Sequence, residues 1–200
     1  MLFPFLALFI IFLLILNLLR NKAMHAEEEK ETAFWERESL ANQTRKKDIS
    51  ALAYVTIPLD ELPFGICHLP ECQEIEEKIT ALSKDKILKL SDLSNTDLKL
   101  QYGAANLPLL SKYDANFTEL SNLIFRYGEL LKENNFINEA IHVLEYGVSI
   151  KIDMSKLFLL LANLYLNTNQ AEKINSLIDQ TSCLSPLLQT STKQQLEAML

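Results

Sequence analysis

Slid along itself by the step that carries Ile124 onto Phe158, the chain lays like on like. Ile124, Tyr127, Gly128, Leu131, Ala140, Leu144 and Gly147 fall onto Phe158, Leu161, Ala162, Tyr165, Ile174, Ile178 and Thr181. Apolar positions recur as apolar positions, and the small Gly128 recurs as the small Ala162. A fixed period of this length marks units that cannot bury their apolar faces alone and must stack. Inside each unit the apolar residues return every three or four positions, which specifies helices. The first unit reads as a long helix capped by Asp114 or Asn116, with Leu120, Leu123, Ile124, Tyr127, Leu130 and Leu131 on one face. After a turn at Asn134-Asn135, Ala140, Ile141, Leu144 and Val148 face back. The second unit reads as helices over 155–167 and 171–183, turning at Asn167-Thr168-Asn169. A chain of 200 residues with only 4 glycines and 6 prolines agrees with a helical protein.

At these positions the chain resembles the tetratricopeptide repeat, a helix-turn-helix unit of about 34 residues with small residues where its helices cross and proline near its end. Gly128, Ala140 and Gly147 in the first copy, and Ala162, Tyr165 and Pro186 in the second, take the family's positions. Tyr127, Leu131, Ile152 and Ile174 depart from it. The resemblance implies that Gly128 and Ala162 lie at close helix crossings faced by Ala140, and that Pro186 ends the last helix of the second copy. It also implies a groove that binds protein or peptide. Tetratricopeptide grooves often hold peptide backbone with polar side chains, which makes Asn163, Tyr165 and Asn167 the candidate binding residues.

Residues 2–19 carry no charge and include fifteen Leu, Ile and Phe residues. As a helix this run measures roughly 27 Å, close to the hydrocarbon core of a bilayer. A signal peptide calls for a shorter run, a basic residue ahead of it and small residues at a cleavage site. The expectation is therefore an uncleaved single-pass anchor, with an exported protein carrying a cleaved leader as the alternative. Arg20 and Lys22 follow the run at once, which by the positive-inside rule places the remainder in the cytoplasm. The sequons at Asn42 and Asn116 then meet no glycosylation. Residues 21–48 mix both charges and continue as a solvated juxtamembrane helix or linker. Phe34 and Trp35 are expected to pack on the domain or on a partner. Ser50 to Phe64 alternates Val55, Ile57 and Leu59 with other residues, and Pro58 and Pro63 forbid a continuous helix there. This extended strip is expected to wrap the repeats, either as simple core or as a peptide occupying the groove.

The segments Phe34-Trp35-Glu36-Arg37-Glu38, Arg45 to Ser50, Ile57 to Pro63, Tyr102 to Pro108 and Tyr113-Asp114 stand in one order behind the apolar run. Together they resemble small membrane-anchored tetratricopeptide-type proteins of clostridial Gram-positive bacteria. That likeness implies architecture and location and lends no catalytic residue.

Cys67, Cys72 and Cys183 are too few and too odd in number for a disulfide framework, and they suit a reducing compartment. Cys67, His68 and Cys72 make three of the four ligands that a structural zinc needs. The expectation is that the two cysteines are apolar fillers beside a helix over 70–83 that opens on Pro70. A redox or metal protein built on Cys67, His68 and Cys72 is the alternative. Thr96 caps a short helix stopping at Gly103, and Leu107, Leu109 and Leu110 form an apolar loop around Pro108. Residues 189–200 close the stack, with Leu196, Met199 and Leu200 facing inward.

No phosphate loop, paired metal-binding histidines or nucleophile elbow is present, and His25, His68 and His142 are scattered. A net charge of −7 argues against nucleic acid. The expected organisation is all-α: a transmembrane anchor over 1–20, a charged linker over 21–48, an extended segment with short helices over 49–113, and a tetratricopeptide-like domain with its cap over 114–200. The expected function is a membrane-anchored scaffold for a protein or peptide partner, with no catalysis, cofactor, metal or small-molecule substrate.

Overall fold

The computed structural model describes residues 3–90 and 93–200, with side chains from Leu8 onward. Leu2, the first residue of the expected span, lies outside them. No strand is present among the described residues. The chain forms two compact units, Met1–Ala51 with Ser91–Leu109, and Leu52–Leu90 with Leu110–Leu200.

In the first unit, α1 runs Phe3–Gln43. Its described apolar residues from Leu8 to Leu19 are all exposed, so no stripe of this stretch faces protein. A helix that is apolar on every side and buried on none is long and apolar enough to cross a membrane, a property that a signal sequence shares. Further along, Phe34 and Trp35 meet edge to face with ring centroids 5.2 Å apart. They are 54% and 59% exposed. Among the described residues of this unit nothing covers them, and the helix turns its Ala41 side inward.

α3, Asn95–Tyr102, starts on a capping box in which Ser94 and Asp97 bond each other's backbone N–H. Thr96, expected as the cap, has its hydroxyl donate to Glu38 at 2.8 Å. Lys99 also pairs with Glu38, and Arg37 with Asp97. The Lys99 and Thr96 hydrogen bonds hold the Glu38 carboxyl below its usual pKa. Gly103 ends α3 at φ 91°, and a Cβ there would stand 2.7 Å from the Lys46 Cα. The Lys47 N–H donates to the Tyr102 carbonyl at 3.0 Å. The Asn106 amide donates to the Lys47 and Tyr102 carbonyls at 2.8 and 2.7 Å. Two of the segments singled out in the sequence, 45–50 and 102–108, are therefore laid side by side.

α4 is Leu107–Glu133 and begins well before Asp114. Pro108 sits in its first turn, where a missing N–H costs nothing. Leu107, Leu109 and Leu110 are thus helical, not a loop. Asp114 and Asn116 lie inside α4 and do not cap it. They tie down the neighbouring chain: Asp114 accepts from the Leu90 N–H at 2.8 Å, and Asn116 donates to the Lys86 carbonyl at 2.9 Å.

The second unit is built on α4, α5 (Ile137–Ser149), α6 (Ser155–Asn167) and α7 (Lys173–Gln180), with a 3-10 turn over Thr181–Cys183. A Cβ on Gly128 would meet Leu144, and one on Gly147 would meet Ile124 and Leu157. Rising numbers on α4 face falling numbers on α5, so the two helices are antiparallel. The same holds for α5 and α6, where Gly147 meets Leu157 and the Tyr165 hydroxyl donates to Glu145 at 2.8 Å. Ala140 and Ala162 are fully buried, as the crossings require. The period is also present in the backbone. The Phe136 N–H bonds the Leu131 carbonyl at 2.9 Å, and one period later the Gln170 N–H bonds the Tyr165 carbonyl at 2.8 Å.

Both ends of this stack are covered. At the N-terminal end, α2 (Pro70–Leu82) and the extended strap of residues 52–64 supply Ile57, Leu62, Ile75 and Ile79 to the core. At the other end lies α8, Pro186–Glu197, which buries Leu196 and joins Ser155 through the Thr192 hydroxyl at 2.8 Å. Pro186 is exposed and opens α8 at its first position; it does not end the preceding helix. α8 ends at Glu197, and beyond it Met199 is half-buried and Leu200 is exposed, so Leu200 does not face inward as expected.

Candidate functional site

The sequence offers α6 as the binding element, and the structure separates its three candidates. Asn163 and Asn167 lie four positions apart on one exposed face. The Asn163 amide donates to the Leu159 carbonyl at 2.8 Å, one turn back. Tyr165 points to the opposite side and is buried. A step of two positions turns a side chain about 200° around a helix, so Tyr165 cannot share the asparagine face. The asparagine face also carries the half-buried Leu159 and Leu160 and the exposed Leu166.

Tyr165 instead belongs to a cleft of about 300 Å³ between α5, α6 and α7, lined by Glu145, Val148, Leu161, Lys173, Ser176, Leu177 and Gln180. Its hydroxyl donates to Glu145, which also accepts from Lys173 at 2.9 Å. The Lys173 ammonium lies 5.1 Å from the Tyr165 ring centre. Burial first, then the hydrogen bond to Glu145 and that carboxylate's charge, push the Tyr165 hydroxyl well above its usual range. A neutral phenol clamped between a carboxylate and an ammonium is an organiser of helix packing. It offers no free base or acid. Glu145 and Lys173 are not legible as partners in the sequence, because each lies on a different helix and neither forms a local motif.

The remaining repeat-packing candidates, Gly128, Ala140, Gly147 and Ala162, are all buried, the two glycines against Leu144 and against Ile124 and Leu157, and Pro186 is not. On α4 the outward face, with Arg126 and Glu119, lines a second hollow of about 710 Å³ beside α2. Arg126 there lies 3.5 Å from Glu71 and 3.6 Å from Glu129.

Cys67 and Cys72 meet where the strap gives way to α2. They are joined in a disulfide with Cα atoms 6.0 Å apart. Both are buried in the apolar core, as the filler reading expects, and the bond between them is the feature that reading did not foresee. His68 between them is exposed, and no group of three or more potential metal ligands occurs among the described residues. His142 is exposed on α5. Asn116, the second sequon, is buried with its amide engaged, so the folded chain cannot present it to a modifying enzyme.

A network around Glu76 secures the strap. The Tyr127 hydroxyl lies 2.7 Å from Glu76 and 2.8 Å from the Pro63 carbonyl, and Glu76 also accepts from the Gly65 N–H. Phe64 stacks edge to face on Tyr127 at 5.8 Å, and the Tyr146 hydroxyl donates to the Thr56 carbonyl at 3.3 Å. The strap is thus bound by main-chain carbonyls to α4 and α5 and shares their core.

Comparison with known proteins finds no matching family model, curated protein or solved structure.

Proposed function

We propose that this protein is a membrane-tethered scaffold whose tetratricopeptide-like hairpins bind another protein. The observation that carries the proposal is the recurrence, one period apart, of the same turn, with the small Gly128 and Ala162 buried at matching positions, closed at both ends by the strap with α2 and by α8. Such a stack spends its apolar surface on itself and leaves the outward faces of α4 and α6 for a partner. On α6 that face pairs Leu159, Leu160 and Leu166 with Asn163 and Asn167, an apolar strip beside amides able to bond a main chain. From Asp114 to Leu200 the chain has ten acidic and six basic residues, which favours a basic or mixed-charge partner. α1 is the tether. The role is binding and not catalysis, and it calls for no cofactor.

A photoreactive residue at Asn163 or Asn167 of the full-length chain, irradiated in native membranes, tests this. A discrete protein adduct from these positions, and none from His142 on α5, is the expected result. Equal capture from all three positions, or none from α6, would overturn the proposal.

A further inference from the structure

The bond between Cys67 and Cys72 sits where the strap gives way to α2. Both cysteines belong to the core, at 2% and 0% exposure. Cys67 follows the Pro63–Gly65 stretch that Tyr127 and Glu76 hold, and Cys72 lies in the first turn of α2. The bridge therefore fastens the two parts of the N-terminal cap to each other, next to the hydrogen bonds that fasten the cap to α4. We propose that this disulfide is a covalent lock on the cap, and that the unit carrying it lies on the oxidising, extracytoplasmic side of the membrane. The proposal rests on α1 directing the chain to a membrane and not on what the repeats bind.

Three observations carry it. Reducing compartments keep thiols reduced, so a bonded, structural pair belongs outside them. The burial also fixes when the bond can form. Thiol–disulfide exchange needs access to a sulfur, which the closed cap denies, so exchange precedes closure. In that step one cysteine thiolate attacks a disulfide sulfur of a protein thiol oxidoreductase, forming a mixed disulfide and releasing the oxidoreductase's other sulfur as thiolate. The second cysteine thiolate then attacks the first cysteine's sulfur. The Cys67–Cys72 bond forms and the second oxidoreductase thiolate leaves. Two electrons pass to the oxidoreductase, and its two thiolates take up the two protons that the cysteines lost. Finally, Cys183 does not compete. It is half-buried, its thiol lies 3.8 Å from the Ile152 carbonyl, and burial raises its pKa, which withholds the reactive thiolate.

Arg20 and Lys22 point the other way, toward a cytoplasmic domain. Their weight is small here, because the charge rule governs short flanking loops and long domains cross largely regardless of it. The remainder of the chain, from Ala23 to Leu200, is such a domain.

The test uses the full-length chain in its native membrane. Cells are quenched in acid, the protein is denatured, and a mass-tagged maleimide is added with and without prior reduction. One tag before reduction, on Cys183, and three after it are expected. Protease added to the intact cells is expected to digest the domain. Three tags without reduction would overturn the lock, and a domain protected in intact cells would overturn its placement. Neither result depends on photocapture from α6, so this proposal and the binding role fail separately.

Discussion

Asn135 and Asn169 stand one repeat period apart with φ of 64° and 58°, each closing the turn between the two helices of its hairpin. Left-handed backbone disfavours any side chain but tolerates asparagine and glycine. Asn135→Ala and Asn169→Ala should each lower stability by about 1 kcal/mol, and the glycine versions should restore it. Denaturant titration of the full-length protein in detergent checks this. Alanine variants as stable as the parent would show that the two turns are not held as described.

Gly128 has no room for a methyl group. A Cβ there would lie 2.7 Å from Leu144 Cδ2, and Leu144 is fully buried. Gly128→Ala should cost on the order of 1–3 kcal/mol through forced repacking. Leu144→Val in the same chain should recover part of that loss, and a double-mutant cycle measures the coupling. Strict additivity of the two changes would argue against the crossing.

Gly103 combines a positive φ with the backbone of Arg45 and Lys46 directly against it. Gly103→Ala should break the Lys47–Tyr102 and Asn106 bonds, at a cost of roughly 1–3 kcal/mol. Hydrogen exchange at the Lys47 amide should speed up while exchange at the Gln170 amide is unchanged. Protection of Lys47 retained in the variant would refute this.

The disulfide closes a short loop, for which chain-entropy arguments give about 2 kcal/mol. The Cys67→Ser/Cys72→Ser double variant should lose about that much, and wild type unfolded in reductant should match it. A variant equal to the oxidised wild type would remove the lock from the account of stability.

Tyr146 is pushed up to about 12 by burial, and Tyr127 and Tyr165 are raised further by burial together with Glu76 and Glu145. A pKa raised by folding contributes fully below the unfolded value, about 10 for tyrosine, and is lost as pH climbs toward the folded value. Stability should therefore hold from this source up to pH ~10 and fall above it. The part of the tyrosinate absorbance that a Tyr127→Phe, Tyr146→Phe or Tyr165→Phe variant removes should, in the parent, rise with unfolding and not before it. Glu38, whose pKa is lowered, has the opposite sign, and its contribution is lost as pH falls through the folded value.

Much of this architecture is legible in the sequence because its causes are local. Pro70 opens α2, the asparagine turns fall where expected, and the bounds of α6 agree residue for residue. The sequence misleads where one residue type serves two purposes. Asp114 and Asn116 look like helix caps, yet inside α4 they bond the backbone of residues 86–90. Pro108 looks like a loop residue, yet a first turn accepts it. Among the candidate binding residues, Asn163 and Asn167 share a face because their spacing is that of a helix. Tyr165 does not join them, because its partner, Glu145, lies on another helix.

The sequence by itself determined the period, the helices and the apolar leader, since each is a pattern of neighbours along the chain. Only the tertiary structure decided that Cys67 bonds Cys72, that the strap is fastened through Glu76 and Tyr127, and that Lys47 meets Tyr102. Those pairings depend on which surfaces fold onto one another, and the order of residues in a segment does not record what lands across from it.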